Sequence, residues 1–181
     1  MKYYNDQAFF DEKDQGQSSR WQLQFKVKAA SPTVFTLCLR IPAWVKGEPV
    51  IQLNGEPLTS PVIEDGYLKI QKTWEDDTID LFLAPALTYV SLPDQPEKSA
   101  LMEGPVVLAG MCEKDCGLYT NGETPEDALY TQSEHMYSVF PWKQSTYLTK
   151  KQPENFTFRP LYEIEDEAYT VYFSLKKPLD Q

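Results

Sequence analysis

Residues 21–28 read Trp21-Gln22-Leu23-Gln24-Phe25-Lys26-Val27-Lys28, with an apolar side chain at every odd position and a polar one at every even position. Successive side chains of a β-strand point to opposite faces, so this alternation predicts a strand with one dry and one wet face. A helix, with its period of about 3.6, would scatter the four apolar groups around its circumference. The pattern extends outward from there. Residues 34–41 (VFTLCLRI) put Phe35, Leu37, Leu39 and Ile41 on one face, and Pro42, which has no N–H, ends the run. Residues 50–53 (VIQL) lead into Asn54-Gly55, a dipeptide that tolerates the two positive φ angles of a type I′ turn, and predict a hairpin. Residues 67–71 and 78–83 read as two further strands on either side of an acidic turn, Glu75-Asp76-Asp77.

Pro85, Pro93 and Pro96 surround the polar stretch 91–99 (SLPDQPEKS), which suits a connector between two packed units. Beyond it, residues 105–109 (PVVLA) form a short continuous apolar run, the mark of a strand buried on both faces. Residues 112–135 carry Gly117, Asn121-Gly122 and Pro125 without sustained periodicity, and read as a long loop with a helical turn near 125–129. Further strands are expected at 137–140, 146–149, 156–159 and 169–175 (YTVYFSL). Short strands broken by Gly, Pro and Asn turns favour antiparallel pairing over a parallel sheet with helical crossovers. The expected fold is therefore all-β, two antiparallel β-sandwich domains in tandem, spanning residues 1–95 and 96–181.

Seventeen Lys and Arg face 27 Asp and Glu, a formal charge of −10, and such a surface repels phosphate backbones, so nucleic acid is not expected as a partner. No run approaches the roughly 20 apolar residues that cross a bilayer, which removes a membrane partner from the expectation. The opening MKYYNDQAFFDEK has no apolar core of a secretory signal, and the compartment stays undetermined.

Candidate chemistry is sparse. His135 is the single histidine, in a polar stretch that suits a surface loop. Cys38 sits between Leu37 and Leu39 and reads as a small core hydrophobe, while Cys112 and Cys116 lack the spacing and the second pair of a zinc site. Glu163, Glu165 and Glu167 alternate along one stretch and are most simply a solvated face. Phosphate loops, nucleophile elbows and zinc-helix motifs are missing from the sequence. The expectation is no catalytic residue, no metal ligand and no cofactor. Aromatic rings can stack on the C–H faces of sugars; Trp21 and Trp74 lie beside strands and suit the core, whereas Trp44 and Trp142 follow prolines in loops and are the speculative carbohydrate-binding pair.

The stretch Leu39-Arg40-Ile41-Pro42-Ala43-Trp44, followed by Leu53-Asn54-Gly55-Glu56, Gly66-Tyr67 and Lys72-Thr73-Trp74, resembles bacterial glycoside hydrolases of family 127 and the related family 146, the β-L-arabinofuranosidase-type enzymes once grouped as a domain of unknown function. Glu103-Gly104-Pro105-Val106-Val107 is similar to their R-G-P strand, with Glu103 where the family has Arg. Residues 159–164 and 169–172 resemble their closing segment. The resemblance implies a parent enzyme with an (α/α)6 barrel that carries a cysteine nucleophile in a zinc–thiolate site, followed by two β-sandwiches. The barrel's motif of adjacent cysteines does not occur here, so no catalytic role passes to Cys38, Cys112 or Cys116. The implied role is a non-catalytic accessory region whose partner is that barrel. The alternatives are a stand-alone carbohydrate-binding module for plant-type glycans and a protein–protein module using its sheet edges.

Overall fold

The structure is a computed structural model that describes residues 21–112, 116–121, 124–130 and 145–177. His135, Trp142 and the strand expected at 137–140 lie outside the described residues. The all-β class is borne out, with two sheets whose pairs are antiparallel except one. The described chain divides after Pro85 into two compact units.

The first unit is built on two long strands, β1 (Trp21–Arg40) and β5 (Tyr67–Leu83), paired antiparallel from Trp21↔Leu83 to Arg40↔Tyr67. Four strands were expected where these two run. Between Lys28↔Asp76 and Thr33↔Trp74, residues 29–32 of β1 face the single residue Glu75 of β5. Four residues against one give an odd offset, and an odd offset exchanges the two faces of a strand. Along β5 the buried positions accordingly change from Leu68, Ile70 and Trp74 to Asp77, Ile79, Leu81 and Leu83. The acidic triplet is thus no turn, but the irregular step at which one strand changes the face it buries.

Two hairpins flank β5. Val50–Leu53 (β2) pairs with Glu56–Pro57 (β3) and with the end of β5, while Val62–Glu64 (β4) pairs with its beginning. Asn54 and Gly55 have φ of 53° and 84°, both positive as a type I′ turn requires. Asp65 and Gly66, with φ of 52° and 77°, join β4 to β5 in the same manner. Leu39, Ile51, Leu68, Ile70, Trp74, Ile79, Leu81 and Leu83 form the core.

In the second unit Leu87–Ser91 (β6) pairs with one edge of Lys98–Glu103 (β7). The other edge of β7 is shared: Leu101 to Glu103 pair with Val106–Gly110 (β8), and Lys98 to Ala100 pair with Tyr172–Lys176 (β12). Beyond β8 follow Thr157–Pro160 (β11) and Tyr147–Leu148 (β10), while Leu118–Tyr119 (β9) runs parallel to β12. The stretch 91–99 does not connect the two units. It closes the β6–β7 hairpin within the second unit, where the Leu92 N–H donates to the Lys98 carbonyl at 2.9 Å. The helical turn expected near 125–129 is a single 3-10 turn, Pro125–Ala128.

Phe156, Phe158 and Phe173 pack with ring centroids 5.1 to 5.8 Å apart at the centre of this unit. Gly110 makes room for them, because a Cβ there would stand 2.5 Å from Phe173 Cζ and 2.9 Å from Phe156 Cε2.

Candidate functional site

Trp44 follows the end of β1, on a turn in which the Val45 N–H donates to the Pro42 carbonyl at 3.2 Å. The Lys46 N–H donates to the Ala84 carbonyl at 2.7 Å and ties this turn to the end of β5. The Trp44 ring lies 5.3 Å from that of Trp21, inclined by 57°, and both indoles are half-buried against the first core. Trp74 is fully buried, stacks on Phe35 at 5.5 Å and donates its indole N–H to the Phe35 carbonyl at 3.0 Å.

A polar cluster of the first unit surrounds Asp77, a buried residue. Its Oδ1 accepts from Asn54 Nδ2 at 2.8 Å and from the Lys72 ammonium, and its Oδ2 accepts the Glu75 N–H at 3.1 Å. Asn54 in turn accepts the Thr78 N–H at 2.8 Å. The Asn54 amide, then Lys72 and then the Glu75 N–H hold the Asp77 carboxyl well below the usual range, at about 2. The cluster therefore fastens the tip of the β2–β3 hairpin to the irregular step of β5. The buried carboxylate thus accepts three hydrogen bonds, as a structural clamp requires.

A second cluster was not foreseen in the sequence. Glu103, at the end of β7, is only 2% exposed. Its Oε1 accepts the Tyr147 hydroxyl at 2.7 Å, while Oε2 and Thr146 Oγ1 are buried without a hydrogen-bond partner among the described residues. Burial, followed by the neighbouring Glu103 carboxylate, pushes the Tyr147 hydroxyl far above its ordinary value, and Tyr89 moves in the same direction for the same first cause. Tyr147 is thus a firm donor and not a base. The signal in the sequence was a lone carboxylate in the apolar stretch 100–110 (ALMEGPVVLAG).

Glu163, Glu165 and Glu167 do not converge as an acid–base pair. Arg159 donates from Nη1 to Glu167 Oε1 at 2.8 Å and from Nη2 to the Glu163 carbonyl at 3.1 Å, and Glu167 Oε2 accepts the Glu165 N–H at 3.0 Å. Hydrogen bonding to Arg159 lowers the Glu167 pKa, opposite to the shift a general acid needs. Cys38 is exposed on β1, Cys112 and Cys116 are half-buried, and no disulfide links them. Among the described residues no three His, Cys, Asp or Glu side chains come together as a metal site.

Residues 11–84 match the family model of the β-L-arabinofuranosidase GH127 middle domain. A GH127 β-L-arabinofuranosidase from Geobacillus stearothermophilus T6 is similar in structure over 86% of this chain, at a TM-score of 0.56 and 22% identity. A structure described as a glycoside hydrolase is similar over 86% at 0.55 and 16%, and another GH127 β-arabinofuranosidase over 88% at 0.52 and 17%. At these identities the likeness is one of fold. The chain spans 28%, 30% and 30% of those three proteins, less than a third of each. No curated protein matches it by sequence.

Proposed function

With residues 11–84 of the GH127 middle-domain type, we propose that this chain is the non-catalytic accessory region of an arabinofuranosidase-type glycoside hydrolase, and that it packs against a catalytic barrel of the parent enzyme. The observation that carries this reading is where the match falls: on a middle domain, within a fold likeness that takes up less than a third of each similar enzyme. The electrostatics agree with it. Cleaving a glycosidic bond calls for a carboxylic acid kept protonated near neutral pH beside a second carboxylate or another nucleophile. The described carboxylates with displaced pKa values are Glu64, Asp77 and Glu167, and all three move downward, held as anions by Lys69, by Asn54 with Lys72, and by Arg159. These groups suit holding a scaffold together.

The test is release of the chromophore from aryl arabinofuranosides by the isolated chain supplied with zinc. The expected result is no turnover above the buffer rate. Turnover proportional to the concentration of purified chain overturns the reading.

A further inference from the structure

Asn54 and Gly55 form the exposed tip of the β2–β3 hairpin, and an asparagine followed by a glycine carries chemistry of its own. The Gly55 peptide nitrogen can attack the side-chain carbonyl carbon of Asn54, because glycine has no Cβ to shield that approach. A Cβ placed at Gly55 would meet nothing within 4 Å, so the neighbouring chain leaves the tip open to water. The folded chain nevertheless holds the Asn54 amide against β5. Its Nδ2 donates to Asp77 Oδ1 at 2.8 Å, and its Oδ1 accepts the Thr78 N–H at 2.8 Å. The Asn54 N–H also donates to the Thr78 carbonyl at 2.8 Å. Both ends of the side-chain amide are therefore held by consecutive residues of β5. Closing a ring onto Gly55 requires the amide to leave that strand, which breaks both of its bonds together.

We propose that Asn54 is a deamidation site guarded by Asp77, and that the reaction dismantles the clamp that delays it. The Gly55 nitrogen gives up its proton to solvent and bonds to Asn54 Cγ, while the Cγ–Nδ2 bond breaks and ammonia leaves. Water then opens the succinimide at one carbonyl or the other, which puts aspartate or isoaspartate at position 54. An aspartate there has no N–H to donate, and its carboxylate faces Asp77 Oδ1, so the Lys72 ammonium must serve two carboxylates. Like charges in contact oppose each other's ionisation. Isoaspartate adds a methylene to the backbone of a two-residue turn whose register depends on its length. Either product releases the hairpin tip from the irregular step of β5. This inference does not rest on the accessory reading.

The full chain is incubated in warm, mildly alkaline buffer, and the peptide containing residue 54 is followed by mass spectrometry. Conversion is expected to run many-fold more slowly in buffer than in urea, because only the opened tip reacts. In the folded chain Asp77→Ala should speed conversion at position 54 several-fold. It should leave unchanged the conversion at Asn121, which also precedes a glycine and belongs to the second unit. Leu81→Ala weakens the same core without touching the clamp, and should keep the rate at position 54 close to that of the unmodified sequence. Circular dichroism checks that both variants are folded, and the comparison with urea needs neither. Equal rates in buffer and urea overturn the proposal, as does a rate for Asp77→Ala no faster than for Leu81→Ala. Converted chain, separated by ion exchange, should unfold its first unit at lower denaturant, and an unchanged midpoint overturns the loss of the clamp. None of these outcomes bears on the hydrolysis test.

Discussion

Asp77 illustrates how a single side chain decides a local structure. Its carboxylate takes three donors at the step where β5 changes face, and each donor stabilises the anion in the folded state only. The folded pKa, about 2, lies below the unfolded value of about 3.9. A depressed carboxylate contributes stability that is complete above its unfolded pKa and is lost as pH falls through the folded one. Denaturant midpoints measured from about pH 5 down to pH 2 should therefore decline for the first unit, with most of the loss below about pH 4. Asp77→Asn should lower the midpoint at neutral pH and flatten this decline. An undiminished acid slope in the variant would assign the effect to other carboxylates.

At the scale of elements, what can be read locally differs from what needs a distant partner. Asn54-Gly55 announced its hairpin because a type I′ turn is decided by two adjacent φ angles; the turn at Asp65-Gly66, with the same pair of positive φ angles, was not read from the sequence. The continuity of β1 through 29–32 was hidden. Ala29-Ala30-Ser31-Pro32 ends the alternation locally, and only the facing strand carries the ladder across it. The acidic triplet misled for a related reason: Asp77 is satisfied by Asn54, 23 residues away. Glu103 likewise shows its role only beside Tyr147, at a separation of 44 residues. Packing within an element can be tested at Gly110 in β8. Gly110→Ala would drive a methyl group into the rings of Phe173 and Phe156, and overpacking of this kind costs about 1–3 kcal/mol. Chemical denaturation should show that loss in the second unit, and a neutral result would mean that the three phenylalanines repack without strain.

For the whole molecule, two separate cores matter more than any one contact. Among the described residues the first draws on side chains from Trp21 to Leu83, the second on side chains from Leu87 to Leu175, and none belongs to both. Stability in such a chain need not be a single number, because each core can set its own opening free energy. Leu81, fully buried in the first core, provides the probe. Leu81→Ala removes methyl groups from a filled interior and should cost about 2–5 kcal/mol. Native-state hydrogen exchange is expected to register this loss at the slow amides of β1 and β5, while Leu101 and Leu108 in the second core keep their protection. Equal loss in both cores would instead mean that the chain opens as one cooperative body. That outcome would join the two units energetically despite their separate interiors.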